Sequence, residues 1–206
     1  MVPEVAARTP DLQFVILVGA AVNWLRQGEF NTRAKLTHQG ASESEIAAAL
    51  DSHNATLQPL RDNATYEQYL ATQHDSDPMS ADRWNFVRKN YLSDVTGILP
   101  QVKVPVLLAL GDDDLNVDVN ETERVYRQLL PPQQLTVQRY PDASHNIVKA
   151  DLDNDQNWRS TLVAVFAPRS LYALGIWKIC GIMLRDSQCT KPDGCAATHH
   201  SAPGLG

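Results

Sequence analysis

Apolar and polar positions along this chain fall into two patterns, short continuous apolar runs and apolar stripes at helical spacing. Val104-Pro105-Val106-Leu107-Leu108-Ala109-Leu110 is a continuous run, β-branched at its start, stopped by Gly111 and then by Asp112-Asp113-Asp114. A run with no polar face is what a parallel strand buried on both sides requires. Leu135 to Tyr140 is a second strand, closed by Pro141-Asp142-Ala143-Ser144-His145, and Phe14 to Val18 is a third, ended by Gly19. Between the first two, Val119, Val125, Leu129 and Leu130 fall near one face, with Glu121, Glu123, Arg124 and Arg127 between them. This spacing predicts an amphipathic crossover helix.

Pro3 to Arg8 is compatible with a helix, and Thr9-Pro10-Asp11 reads as a turn. The stretch from Ala20 to Gly40 is helical in pattern. Ser42-Glu43-Ser44-Glu45 has the form of a capping box, in which the Ser42 hydroxyl takes the Glu45 N–H and the Glu45 side chain reaches back. Ile46, Leu50, His53, Leu57 and Leu60 then form a stripe. Tyr66, Tyr69 and Leu70 continue the helical material to a break at Asp75-Ser76-Asp77-Pro78, and it resumes from Ser80 through Trp84, Val87, Tyr91 and Leu92. Strands separated by helices predict the α/β class with a mostly parallel sheet.

Composition adds bounds rather than a function. At 206 residues, 43% hydrophobic and 20% charged, the chain has enough apolar material for one sizeable core. A net charge of -6 speaks against nucleic acid and anionic membrane surfaces as partners. The apolar stretch from Leu171 to Leu184 is too short for a membrane span and contains Lys178. Cys180, Cys189 and Cys195 all lie near the C-terminus, so no disulfide framework is expected in the core. The tail with Cys189, Cys195, His199 and His200 lacks a close C-x2-C knuckle and is expected to be disordered rather than to hold a metal. Asp151 to Gln156 begins like a calcium loop, but Gln156 replaces the turn glycine and Leu162 the bidentate glutamate, so a solvated acidic loop is expected. Neither a metal nor another cofactor is expected. The sequons at Asn54, Asn63 and Asn120 are read as chance matches, and no leader pattern follows Met1.

The candidate chemistry lies between Gly111 and His145. The order is strand, acid loop, helix, strand, histidine loop, with both loops at strand C-terminal ends, where ligands gather on α/β sheets. Taken with the Pro-Val-Leu strand and the G-x-x-D-x-x-V pattern at Gly111-Asp112-Asp113-Asp114-Leu115-Asn116-Val117, this segment resembles the α/β-hydrolase family. That resemblance implies a catalytic acid at Asp114 rather than at Asp112 or Asp113, and a catalytic histidine at His145 within Ala143-Ser144-His145-Asn146-Ile147. The family places a G-x-S-x-G nucleophile elbow before the acid. No such pattern occurs in this chain.

The resemblance covers roughly Val2 to Trp177. Met1 to Asp11 is similar to the helix after the elbow, Phe14 to Val18 to the following strand, and Phe166 to Trp177 to the last helix. It implies a partial α/β-hydrolase fold: a core at 1–20 and 97–184, a helical cap inserted at 21–96, and a tail at 185–206. The expected activity is acyl transfer by a Ser-His-Asp mechanism on a small acyl substrate, in a form that keeps acid and histidine but not serine and is inactive alone. Alternatives are a pseudo-hydrolase that binds small molecules, or an interaction module pairing through an open sheet edge at Phe14 to Val18, with self-association as its outcome. Trp24, Phe30, Tyr66, Tyr69 and Trp84 are expected to pack the cap rather than form the site. His38, His53 and His74 are given structural roles.

Overall fold

A computed structural model of the chain describes residues 2–9, 11–72, 78–153, 161–163, 166–173 and 175–176. Residues 1–173 form one compact unit and 174–206 a second, in which only Gly175 and Ile176 are described. The cysteine- and histidine-containing tail therefore lies outside the described residues, as do Trp177 and His74.

The first unit is built on a three-stranded parallel sheet in the order β1 (Val15–Val18), β2 (Val106–Gly111), β3 (Leu135–Tyr140). Val15 pairs with Val106, and Val106 with Leu135, so the strands start level; the C-terminal ends of β2 and β3 lie side by side, while β1 stops opposite Ala109. Every residue of β2 is buried, as its unbroken apolar run requires. Val106, Leu108 and Leu110 share one core with Val15, Leu17 and Leu135. The same core takes Val119, Val125 and Tyr126 from α7 (Val119–Leu129), which makes the parallel crossover from β2 to β3, and Ala6 from α1 (Val2–Arg8). Among the described residues β1 has no partner on its outer side. Val18 is exposed, as are Val2 and Val5 of α1.

Between β1 and β2 the chain is helical: α2 (Trp24–His38), α3 (Glu43–Thr56), α4 (Gln58–Arg61), α5 (Tyr66–Thr72) and α6 (Ala81–Asn90). The capping box forms as its residues require, with both Ser42–Glu45 bonds in place. Leu57, Leu60, Tyr69, Trp84 and Val87 make a second apolar core, where the Tyr69 and Trp84 rings stack with centroids 4.3 Å apart. Tyr69 and Trp84 are thus packing residues. The expected last helix is not regular where it is described. Pro168–Leu171 is a 3-10 turn and Tyr172 bridges Val148. Pro168 withholds an N–H at that point, which favours the tighter turn over a continuing α-helix.

Candidate functional site

Gly111 ends β2 and the chain turns at once through Asp112, Asp113 and Asp114. The three acids separate by function. Asp112 pairs with Arg139 of β3. Asp113 donates its N–H to the Ala143 carbonyl at 2.9 Å, which ties the acid loop to the histidine loop. Asp114 turns inward, and its side chain is buried. Its Oδ1 accepts the N–H groups of Asn116 at 2.7 Å and Val117 at 2.9 Å, and its Oδ2 lies 2.9 Å from His145 Nδ1. A turn-forming role and a histidine-facing role are therefore carried by the two oxygens of one carboxylate. The N-cap of α7 falls instead to Asp118.

His145 stands on a tight return after β3. Asp142 and Ile147 take positive φ on either side of it, and the Ser144 N–H donates to Val148 O at 2.7 Å. The loop is closed by its own backbone, so the imidazole is held from both ends. The Asp114 hydrogen bond raises the His145 pKa above 6.5; partial burial opposes this, and the negative charges of Asp114 and Asp153 support it. With Nδ1 directed at a carboxylate, the neutral ring carries its proton there. Nε2 is left as the basic nitrogen.

Two glycines make this geometry possible. A Cβ on Gly111 would stand 2.2 Å from Ser144 O and 2.4 Å from Ala143 O, so the histidine loop crosses the end of β2 in the space that a side chain would fill. Gly19, at the end of β1 with φ +55°, would place a Cβ 2.7 Å from the His145 ring and its carbonyl oxygen. The strand-ending glycines were visible in the sequence only as stops. Ser144 is fully buried and donates its hydroxyl to Asp153, so it is spent as a structural donor.

Among solved structures the chain is similar to VinJ at 15% identity and a TM-score of 0.42, over 82% of this chain and 62% of that one. It is similar to a proline iminopeptidase from Mycobacterium smegmatis at 18% identity and 0.41, over 82% and 62%. A third likeness is to an alpha/beta fold family hydrolase from Bacillus anthracis, at 18% identity and 0.41, over 73% and 59%. The likeness is one of fold alone. The chain spans about three fifths of the length of these structures. No protein-family model and no curated protein matches the chain. Likenesses this distant say nothing of activity, which Asp114 and His145 have to carry on their geometry.

Beside His145 lies a cavity of about 360 Å³, lined among others by Trp24, Asn31, His53, Arg83 and Asn116. Asn31 of α2 donates to Leu115 O at 2.8 Å and Asn116 Oδ1 at 2.7 Å, fastening the helical insertion to the acid loop. Trp24 and His53, which the sequence pattern assigned to packing, therefore share this cavity with the histidine. His53 occupies the stripe position expected of it on α3, but the stripe could not show what the far edge of its ring would meet.

Proposed function

We propose that Asp114 and His145 are the acid and base of a Ser-His-Asp acyl hydrolase and that this chain supplies them without the serine. The observation that carries the reading is the buried Asp114 Oδ2 at 2.9 Å from His145 Nδ1, on adjacent loops at the C-terminal ends of neighbouring parallel strands. In such a site Asp114 fixes the imidazole and stabilises its charged form. His145 Nε2 takes the proton of the attacking hydroxyl and returns it to the leaving group. The substrate is a small ester or related acyl compound held in the adjoining cavity.

The nucleophile and the oxyanion donors have no counterpart in the sequence motifs of the chain, and the buried hydroxyl next to His145 is bound to Asp153. Loss of a nucleophile from such a site costs about a million-fold in rate. The purified chain is therefore expected to leave p-nitrophenyl acetate and butyrate unhydrolysed above the level of a His145→Ala variant, and to take no label from a fluorophosphonate. Ser144→Ala should change neither result. Stoichiometric labelling with turnover, lost in Ser144→Ala, would overturn the reading.

A further inference from the structure

The acid loop is held from the helical insertion as well as from the sheet. Asn31 of α2 reaches it with its side-chain amide, whose two N–H groups go to Leu115 O at 2.8 Å and to Asn116 Oδ1 at 2.7 Å. Leu115 O can only accept, which sets the Asn31 amide with its nitrogen toward the loop, and both of its donors are then spent. Leu115 and Asn116 follow Asp114 directly and belong to no helix or strand, so the turn has no ladder of its own to keep its shape. The next link is the Asn116 N–H, which donates to Asp114 Oδ1 at 2.7 Å, while the other oxygen of that carboxylate lies 2.9 Å from His145 Nδ1. A chain of hydrogen bonds thus runs from α2 to the imidazole.

We infer that Asn31 is a positioning residue for the acid–base pair: it holds the Leu115-Asn116 turn so that Asp114 keeps one oxygen on the turn and the other on His145. With its N–H groups spent, it acts through the turn and donates nothing to a bound acyl compound. The inference rests on reading Asp114 and His145 as acid and base, and the test keeps the two apart. A second tie of α2 to the core supplies the control. Arg26 pairs with Glu121 of α7 at 2.7 Å, and this ion pair is exposed at Arg26 and makes no bond to Asp114.

The His145 imidazole is titrated by nitrogen-15 NMR in the intact chain, in wild type and in Asn31→Leu, Asn116→Ala and Arg26→Gln. The charges that act on it are those of Asp114 and of Asp153 in α8 (Ala150–Asp153), and His53 and Arg83 line the cavity beside it. None of these changes in the variants, so the pKa reports the placement of Asp114. Asn31→Leu keeps the branched outline, removes both donors and raises helix propensity. Its His145 pKa is expected to fall from the raised wild-type value toward 6.5. Exchange of the Asn116 amide proton should quicken about fivefold, as for the loss of one ordinary hydrogen bond from the turn. Asn116→Ala keeps the backbone N–H on Asp114 and the Leu115 bond to Asn31, and should lower the pKa by less. Arg26→Gln should leave it unmoved. A raised wild-type pKa that Asn31→Leu and Asn116→Ala both leave unchanged, or that Arg26→Gln lowers as much, would overturn the positioning role and leave the acid–base pair standing. A wild-type pKa that is not raised would overturn the pair, and the positioning role with it.

Discussion

Gly111→Ala is expected to cost about 3 kcal/mol, the upper part of the range for overpacking a well-filled core. The reason is local and steric. The added methyl meets two carbonyl oxygens, those of Ala143 and Ser144, and neither belongs to a flexible side chain that could swing away. The residue lies at the buried end of β2, paired with Tyr140 of β3, so the strand end cannot retreat without disturbing that pairing. In a chain of this size the loss corresponds to a melting temperature lower by roughly 6–12 °C. Gly97→Ala is the control, because nothing lies within 4 Å of its added carbon; it should stay within about 0.5 kcal/mol of wild type. Urea unfolding of the three proteins checks both values. Equal stability of Gly111→Ala and wild type would mean that the histidine loop does not cross the strand end as described.

The second large effect is expected at Asp114. Removing its carboxylate in Asp114→Ala leaves the Asn116 and Val117 N–H groups without their acceptor and His145 without its partner. Hydrogen bonds to a buried charged group place the cost at about 2–4 kcal/mol. Its pH dependence has a definite sign. The folded-state pKa of His145 lies above the ordinary 6.5, chiefly because of the Asp114 bond, so the charged imidazole adds stability below that value. The addition is lost as the pH rises through the folded pKa. The stability difference between wild type and Asp114→Ala should therefore be largest on the acid side of 6.5 and shrink above it, leaving the pH-independent part that comes from the two N–H groups. A difference that grows with pH would contradict the assignment.

The strands and α7 were legible because their patterns are local. A fully apolar run ended by glycine can only be buried, and Val119, Val125 and Leu130 repeat at helical spacing whatever surrounds them. Topology made the meeting of the acid and histidine loops legible, since a parallel crossover brings the ends of β2 and β3 together, but the choice of Asp114 and His145 within them came from the family resemblance. What could not be read depends on contacts far apart in the chain. Gly111 and Gly19 look like ordinary strand stops, and the backbone that makes them necessary comes from the histidine loop. Arg83 and His53 sit in helices whose spacing shows which residues are buried but not that the two line a cavity with His145. Ser144 carried no signal of its bond to Asp153 beyond nearness in sequence.

Titration of the His145 imidazole by nitrogen-15 NMR, in wild type and Asp114→Asn, tests the acid–base pair most directly. The pair predicts a wild-type pKa above the ordinary imidazole value, a fall in Asp114→Asn, and a neutral form with its proton on Nδ1. An unraised pKa that Asp114→Asn leaves unchanged, or a neutral ring protonated on Nε2, would contradict it.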